Sequence, residues 1–595
     1  QMLVHRLMAE GRASGAFWAL PTQATANAMY ERQTRLAAQL FAPQENISLV
    51  LAHGQSRLSE RFQRSILPVG ANEHSYTDVQ DAAETTASAA CAAFLAHDRR
   101  MSMLADVGSG TIDQALLAAL PSKFNTIRLF GLVGKVLVID EAHAYDAYMS
   151  GEIEALLAFI RSLGGCAIVL SATLPEKKRQ DLIAAWGGAS GPPQSAGSDA
   201  YPLVTLVGEA KAQAFGLKAA QWSTRSVPVR MLHNAEDAVH RICDALARGG
   251  AVAWVRNTVD DVLEAAALLR DRGVQPLVFH ARFAQCDRQA IESRVLSMYG
   301  KDAPQTARVG QVIVATQVIE QSLDLDFDLM ISDLAPIDLL VQRAGRLRRH
   351  PSRNVHRPGD IPFEFMVLAP VWADEPDADW FSSFLKRASR VYEHPGILWN
   401  TARVLREHGA ISTPDNLRAL IEGVYADDVG IPPGLEAASM RAMGREMGGQ
   451  ATAEQVTLRP ESGYTGEGTI WLPEQRVRTR LGDEDGTVRL ARIKSDGSLG
   501  PWAEGAAGES WMPEWKRWAL SEVRIAGWRL KGVSQAPEHL EVVNRAKVEW
   551  SAYERDCLVV PLQQVSPQLY QGALAKSDGA FLRINYDARY GINFD

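Results

Sequence analysis

The chain has 595 residues, of which 46% are hydrophobic and 22% are charged, and its formal net charge is −8 at pH 7. This length predicts about four domains, and the composition is that of an ordinary globular protein. The acidic net charge excludes a uniformly basic surface, so a nucleic-acid site would have to be a local patch.

The cysteines and the apolar runs indicate the compartment. The five cysteines lie far apart without a Cys-x-x-Cys pair, which argues against a zinc module or a disulfide framework and suits a reducing cytoplasm. No run of about 18 apolar residues exists, so we expect no membrane span, and we expect no signal peptide. The cysteines are Cys91, Cys166, Cys243, Cys286 and Cys557.

Apolar runs alternate with helical patterns in the first third of the chain. Continuous apolar strands separated by helices predict a parallel α/β sheet. The predicted strands cover residues 16–20, 48–53, 135–139 and 167–170, and the predicted helices cover residues 25–40 and 151–163.

The same pattern restarts at residue 250 and predicts a second α/β unit. Its predicted strands are residues 251–255, 275–280, 311–315 and 329–332, with a helix over 260–272. Residues 398–425 read as helical with breaks at Gly409 and Pro414, and the segment from 464 onward is β-rich with many tryptophans. We therefore predict α/β domains over 1–208 and 209–395, a helical linker over 396–463, and a small β-containing C-terminal domain over 464–595.

The segment KVLVIDEAHAYDA (135–147) ends an apolar strand with two adjacent carboxylates, Asp140 and Glu141. In nucleotide hydrolases an aspartate at this place holds Mg²⁺ through water, and the neighbouring glutamate polarises the attacking water. An acidic pair at an exposed strand end is the plainer interpretation. Ala142 and His143 complete a DEAH motif after four apolar residues, which favours the nucleotide interpretation.

Two further segments point to a nucleotide-related role because they follow DEAH in the chain. Ser171 and Thr173 end the next strand in VLSATLP, where their hydroxyls would relay the nucleotide state. In QRAGRLRR (342–349), Arg346 and Arg349 are three residues apart and share one helix face, and a planar guanidinium suits a γ-phosphate. A solvated basic helix face is the alternative, and Gln342 at this spacing argues against it.

A third segment, ATQ…EQSLD, follows a strand of the second unit. Thr316 would bond a backbone phosphate, and Asp324 would reach a ribose or an arginine finger. A plain strand-to-helix turn with a threonine cap explains the pattern equally well.

Together these motifs resemble superfamily 2 helicases, and more closely the CRISPR-associated type I interference helicase-nucleases of the E subtype. The similarity covers nearly the whole chain and implies two tandem RecA-like domains. The segments that carry it are residues 20–32, 107–120, 138–151, 170–175, 279–283, 314–350, 471–492 and 516–525.

The resemblance also implies roles for individual residues. Asp140 and Glu141 would serve Mg²⁺–ATP and water activation, and Ser171 and Thr173 would couple hydrolysis to movement. Gln342, Arg346 and Arg349 would meet the γ-phosphate. Contacts with single-stranded DNA, mostly through its phosphates, are implied for Thr22, Gln23, Thr111, His280, Arg282 and Thr316.

The family translocates 3′ to 5′ along single-stranded DNA in the prokaryotic cytoplasm. It is recruited by an RNA-guided surveillance complex and works with an HD nuclease domain, which we expect in cis or in trans. A groove that tracks phosphates suits this work, because the guide RNA chooses the sequence.

Two features depart from the family pattern. The sequence contains no Gly-Lys-Ser/Thr phosphate loop, since the nearest match, GLVGKV (131–136), lacks the hydroxyl and leads into the DEAH strand. We expect the chain to begin a few residues after that loop, and therefore to lack ATPase activity by itself. The only His-Asp pair, His97-Asp98, reads as a surface pair, so we place the nuclease outside this chain.

Three functions stay open at this point. The chain is the motor and accessory portion of such a helicase-nuclease, or a remnant that binds DNA or the surveillance complex without turnover, or a DEAH-type helicase that acts on RNA or in repair.

Overall fold

The computed structural model describes residues 1–41, 47–67, 91–92, 95–96, 100–187, 200–208, 211–320, 323–460, 471–472, 477–481, 486–505, 512–548, 550 and 554–594. They form two compact units. Unit 1 comprises Gln1–Ala220, Ile421–Val429 and Met440–Leu481, and unit 2 comprises Gln221–Leu420, Gly430–Ser439 and Gly482–Asp595.

Unit 1 contains a parallel five-stranded sheet with the order β2-β3-β1-β4-β5. Its strands are Gly15–Leu20 (β1), Leu49–Ala52 (β2), Val107–Thr111 (β3), Lys135–Ile139 (β4) and Cys166–Val169 (β5). Two short pairs, Ile66–Leu67 with Cys91–Ala92 and Leu203–Val207 with Ala212–Gly216, lie outside this sheet. The predicted α/β class is confirmed.

Both faces of this sheet are buried. In β1, Phe17 and Ala19 belong to one core cluster, whereas Ala16, Trp18 and Leu20 belong to the other. Such two-sided burial explains why the strands read as continuous apolar runs in the sequence. The helices of the first 220 residues of unit 1 include Met2–Ala9 (α1), Gln23–Leu40 (α2), Glu60–Arg64 (α3), Ile112–Leu116 (α4), Asn125–Leu132 (α5), Ala147–Ser162 (α6) and Glu176–Ala185 (α7).

Side-chain caps set where several of the helices begin. The Thr22 hydroxyl accepts the Thr25 N–H at 3.2 Å and starts α2, and the Asp146 carboxylate accepts the Met149 N–H at 2.8 Å and starts α6. Such caps satisfy backbone donors that the first helical turn leaves unpaired. The cap at Asp146 places the start of α6 one turn before the predicted residue 151.

Unit 2 contains a seven-stranded sheet with the order β8-β9-β7-β10-β11-β6-β12, parallel except for the last pair. Its strands are Arg225–Leu232 (β6), Val252–Val255 (β7), Leu277–Phe279 (β8), Val312–Ala315 (β9), Leu329–Asp333 (β10), Phe365–Leu368 (β11) and Ala410–Thr413 (β12). Its helices include Ala235–Ala247 (α8), Val259–Asp271 (α9), Gln285–Tyr299 (α10), Gln305–Arg308 (α11), Ile337–Ala344 (α12) and Pro395–His408 (α13). Strand β12 lies between the two halves of the predicted helical stretch 398–425.

Two helices follow within the predicted helical linker 396–463, Leu417–Tyr425 (α14) and Pro433–Val456 (α15). The C-terminal sheet of unit 2 has the order β14-β13-β17-β18-β19-β20, with β15 paired to β13 and β16 paired to β18. These strands are Gly486–Ile493 (β13), Leu499–Pro501 (β14), Glu522–Ile525 (β15), Val533–Ser534 (β16), Leu558–Gln564 (β17), Tyr570–Lys576 (β18), Phe581–Asp587 (β19) and Gly591–Phe594 (β20).

Three short helices, Glu514–Leu520 (α16), Gly527–Leu530 (α17) and Leu540–Ala546 (α18), accompany this sheet. Its core includes Ala284, so the C-terminal sheet packs on the α/β part of unit 2. The boundaries of the four predicted domains stay predictions. Among the described residues, no helix combines the length and the apolar character that crossing a membrane requires.

Candidate nucleotide and nucleic-acid sites

Four predicted site residues follow the carboxyl ends of strands in unit 1. Thr22 follows β1, Thr111 ends β3, Asp140 follows β4 and Ser171 follows β5. Leu20 is the register partner of Thr111, and Ile139 is the partner of both Ala19 and Val169, so the strand ends are level. The predicted residues therefore share the edge at which parallel sheets bind ligands.

The DEAH turn begins with a half-buried carboxylate and a left-handed residue. The Asp140 N–H donates to the Ala19 carbonyl at 3.1 Å, and its carboxylate accepts the Glu141 N–H at 3.0 Å. Burial raises the pKa of Asp140, against the opposing effects of the Glu141 N–H and of Arg32. Glu141 has a φ of +53°, a conformation that costs energy in a residue with a side chain.

A chain of polar contacts joins Glu141 to the SAT segment in unit 1. The Glu141 carboxylate lies 3.5 Å from Nε2 of the buried His143, whose Nδ1 lies 3.0 Å from the Ser171 hydroxyl. The Ser171 oxygen also accepts the Thr173 N–H at 3.4 Å. His143 was quoted in the sequence motif without a role, and the structure places it between the two predicted segments.

The predicted DNA-contact residues of unit 1 are also structural. The Thr22 hydroxyl caps α2, and Gln23 is the first residue of that helix, with its amide beside Gly54. Thr111 is 7% exposed and precedes α4 without a side-chain cap bond. These residues line the same sheet edge as Asp140.

The structure shows why the glycine-rich segment 131–136 is no phosphate loop. It ends α5 and enters β4, and the buried Lys135 ammonium donates to the carbonyls of Met103 and Ala105. Burial lowers the pKa of Lys135 to about 8. The carboxylates at Asp140 and Glu141 offer the oxygen ligands that Mg²⁺ prefers, whereas the described residues contain no Gly-Lys-Ser/Thr cradle for the phosphates. His97-Asp98 lies outside the described residues.

In unit 2, the QRAGR segment contains a fully buried arginine, Arg343, for which the sequence analysis predicted no role. Arg343 pairs with the buried Glu320 at 2.6 Å and donates to the Ser332 hydroxyl at 2.8 Å. It also reaches Asn257 and Tyr392, both at 3.4 Å. Arg343 therefore holds α12 against the ends of β7 and β10.

The predicted arginines of the same segment lie nearer the surface. Arg346 donates to the Glu320 carbonyl at 2.5 Å. Arg349 pairs with Asp324 at 2.6 Å, and the pKa of Asp324 is lowered by His350 and Arg349 against the effect of burial. Asp324 and Arg349 are thus brought together, and Gln342 lies half-buried on α12.

The FHARF segment (279–283) leaves β8 and turns inward. His280 is completely buried, with Nε2 3.0 Å from the Tyr590 carbonyl, and burial lowers its pKa to about 3. Arg282 pairs with Asp260 and is only partly exposed. Thr316 is 5% exposed, and its N–H donates to the Phe279 carbonyl at 3.2 Å. The His280 side chain has no surface for DNA in this structure, because the C-terminal strand covers it.

Comparison with known proteins gives a consistent result. Residues 248–352 match the family model for the CRISPR-associated nuclease/helicase Cas3, C-terminal. The CRISPR-associated endonuclease/helicase Cas3 of Thermus thermophilus is 34% identical over 562 residues, which cover 83% of this chain and 58% of that protein. The crystal structure of T. fusca Cas3-ATP aligns with a TM-score of 0.80 and 27% identity, over 98% of this chain and 65% of that one.

All of these matches show that the chain is similar to the helicase portion of Cas3 proteins. The predicted resemblance is therefore confirmed. A chain titled "CRISPR RNA-guided surveillance complex, pre-nicking" aligns with a TM-score of 0.69 and 25% identity, over 100% of this chain and 70% of that one. The chain spans about half the length of the curated Cas3 relatives it matches.

Proposed function

We propose that this chain is the ATP-driven motor portion of a Cas3-type helicase-nuclease. It translocates 3′ to 5′ on single-stranded DNA, in the cytoplasm, after recruitment by an RNA-guided surveillance complex. The observation that carries the proposal is the contact chain from Glu141 through His143 to Ser171 at the sheet edge of unit 1. Likeness to an ATP-bound Cas3 and to the surveillance-complex chain supports the ligand and the partner.

Bound ATP would supply the phosphoanhydride bond that is broken. Bound Mg²⁺ would neutralise negative charge on the phosphates. Asp140 is proposed to hold the metal through water, and the Glu141 carboxylate to take a proton from the attacking water. A change of charge at Glu141 would act on His143, whose Nε2 lies 3.5 Å from the Glu141 carboxylate, and through His143 on Ser171 and Thr173. This contact chain would couple hydrolysis to movement.

The second set of proposed roles lies in unit 2. Arg346 and Arg349 are proposed to contact the phosphates of ATP, with Gln342 beside them. Arg349 pairs with Asp324 at the surface, and such an exposed pair costs little to open. Arg343 positions this set through Glu320 and does not itself reach the surface.

DNA contact is proposed for Thr22, Gln23 and Thr111 in unit 1 and for Arg282 and Thr316 in unit 2. His280 is proposed to act by holding the backbone of the segment that carries Arg282, because its own ring is buried. An HD nuclease, in cis or in trans, would cut the DNA that the motor delivers.

The test is ATP hydrolysis by the 595-residue chain with Mg²⁺, with and without single-stranded DNA. We expect DNA binding without turnover, because the sequence has no Gly-Lys-Ser/Thr loop. Fusion to a Cas3 segment that carries this loop should give turnover stimulated by DNA and not by RNA. Glu141→Gln in that fusion should lower the rate at least about a hundredfold.

Other outcomes point elsewhere. DNA binding with no turnover in the fusion would favour a binding remnant, and stimulation by RNA would favour a different DEAH-type helicase. Robust turnover by the unfused chain, lost in Glu141→Gln, would show that another segment holds the phosphates.

A further inference from the structure

The final strand of the chain contacts the segment that carries Arg282, about 300 residues earlier. The Ile592 N–H donates to the Arg282 carbonyl at 2.8 Å, and the Ala284 N–H donates to the Tyr586 hydroxyl at 2.9 Å. We call Tyr586, Tyr590, Gly591 and Ile592 the C-terminal seat.

The third contact of this seat fixes the tautomer of His280. Its Nδ1 accepts the Arg282 N–H at 3.1 Å, so Nε2 carries the hydrogen and donates to the Tyr590 carbonyl at 3.0 Å. The ring is stacked on Phe283 with 4.5 Å between centroids. His280 thus joins the backbone of its own turn to the backbone of the C-terminal seat.

Gly591 makes the close approach possible. Its φ is +71°, and a Cβ there would lie 2.5 Å from the Arg282 carbonyl oxygen and 2.6 Å from Cε1 of His280. Real Cβ atoms do not come so close to backbone, so only glycine fits without moving residues 280–282.

The Arg282 guanidinium is held by Asp260 and lies near the C-terminal strand β20. Asp260 accepts from one end of it and also from Arg529 at 3.1 Å. The ring of Phe594, in the same strand as Gly591, lies 5.6 Å from Arg282 and 4.5 Å from Arg529. Two guanidinium groups share one carboxylate here, which leaves positive charge for a phosphate.

We propose that the C-terminal seat positions Arg282 for contact with a DNA phosphate, with Gly591 as the positioning residue. This inference rests on the proposed DNA-binding role of Arg282. It gives the C-terminal sheet a part in motor function, because a shift of β20 would move Arg282 through Ile592 and His280.

The test compares binding of a labelled oligo-dT by the full 595-residue chain and its variants. Gly591→Ala should weaken binding about tenfold and lower the slope of log affinity against log salt by about 1, since one phosphate contact is lost. Gly579→Ala is the matched control, because Gly579 also has a positive φ, +83°, with nothing within 4 Å of an added Cβ. It should bind like the unchanged chain.

Arg282→Gln and the double variant separate positioning from general damage. Arg282→Gln should show the same change in salt slope, and adding Gly591→Ala to it should weaken binding no further. A merely structural effect of Gly591→Ala would reduce the active fraction and leave the slope unchanged. If Arg282→Gln weakens binding and Gly591→Ala matches Gly579→Ala, the positioning role is overturned and the DNA-binding role stands. If neither variant changes binding, the positioning role of Gly591 and the DNA-binding role of Arg282 are both contradicted.

A second pair of variants is used if Gly591→Ala fails to unfold cooperatively. Tyr586→Phe removes the hydroxyl that accepts the Ala284 N–H, and its cross-strand partner Tyr570 gives the control Tyr570→Phe. Both rings contact Trp502 with 4.8 Å between centroids. Tyr586→Phe should lower the salt slope and Tyr570→Phe should not, and equal slopes would overturn the proposal.

Discussion

At the scale of single residues, buried charge is concentrated in a few contacts. Arg343 is fully buried and uses its planar fork for an ion pair and several hydrogen bonds. Arg349, six residues on, makes one ion pair at the surface. The two arginines come from the same short motif, and the structure predicts that substitution of Arg343 costs more stability than substitution of Arg349.

Arg343→Lys should lower the free energy of unfolding by roughly 3 kcal/mol, because a lysine ammonium pairs with Glu320 but cannot also reach Ser332 and Asn257. Arg349→Lys should cost less than about 1 kcal/mol, as for other exposed pairs. Denaturant unfolding of both variants measures the difference. Equal costs would contradict the assignment of Arg343 as the buried member.

Glu152, in unit 1, is a second buried ionisable side chain. Burial is the main cause that raises the pKa of Glu152 to about 8; a hydrogen bond with Tyr148 and the charge of Arg480 oppose it, whereas Asp113 and Asp146 add to it. The folded carboxyl therefore holds its proton more tightly than the unfolded one, so stability should fall as pH rises from 4.5 towards about 8.

Glu152→Gln should remove this pH-dependent loss of stability. Its free energy of unfolding, relative to that of the unchanged chain, should therefore rise by on the order of 3 kcal/mol between about pH 5 and about pH 9. The burial cost of the amide itself is the same at both pH values, so thermal unfolding at each pH isolates the titration. Glu541→Gln, at a carboxylate that is 90% exposed, is the control and should show no such difference. A parallel response of the two variants would contradict the prediction.

At the scale of elements, glycines in regular structure have opposite roles. Strand β3 was missed as a strand because Gly108 and Gly110 interrupt its apolar pattern. The Phe17 ring occupies the space that their side chains would need, with an added Cβ 2.6 Å and 2.8 Å from it. In α15, Gly448 is exposed and has nothing within 4 Å.

Gly110→Ala should therefore destabilise the protein by roughly 3 kcal/mol, because the new methyl group would also meet the Ala52 carbonyl at 2.3 Å. Gly448→Ala should stabilise it by about 0.5–1 kcal/mol through helix propensity. Thermal unfolding of the two variants tests the signs. A stabilising Gly110→Ala would refute the close packing of β3 on Phe17.

At the scale of the whole molecule, unit 1 is assembled from distant segments. The Leu458 N–H donates to the Ala119 carbonyl at 2.8 Å, and Thr479 and Arg480 both donate to the Asp113 carboxylate. Tyr148 donates to the Arg478 carbonyl at 3.0 Å. The segment after residue 440 therefore completes a core that the first 220 residues begin.

A fragment of residues 1–220 should consequently bind a dye for exposed apolar surface and unfold at a lower temperature than the full chain. Addition of a peptide of residues 440–481 should raise that temperature, since a ligand of the native state stabilises it. A fragment that unfolds cooperatively and ignores the peptide would show that unit 1 is complete without this segment.

Local patterns in the sequence determined much of what was predicted. Strand–helix alternation, the continuous apolar runs of β1, β4 and β7, and the DEAH and QRAGR segments depend on neighbouring residues, and their ends appear within about two residues for most strands. The resemblance to the Cas3 family rests on the same short segments. Roles at named residues stay predictions, although the structure brings Glu141 and Ser171 to one sheet edge.

Only the tertiary structure decided which side chains those motifs can use. The same short motif contains the buried Arg343 and the exposed Arg349, and the difference depends on Glu320 and on strand ends far along the chain. His280 is buried because Tyr590 and Gly591 cover it, about 300 residues later. Contacts between segments so distant leave no periodic signal in the sequence, because close packing depends on three-dimensional neighbours and not on spacing along the chain.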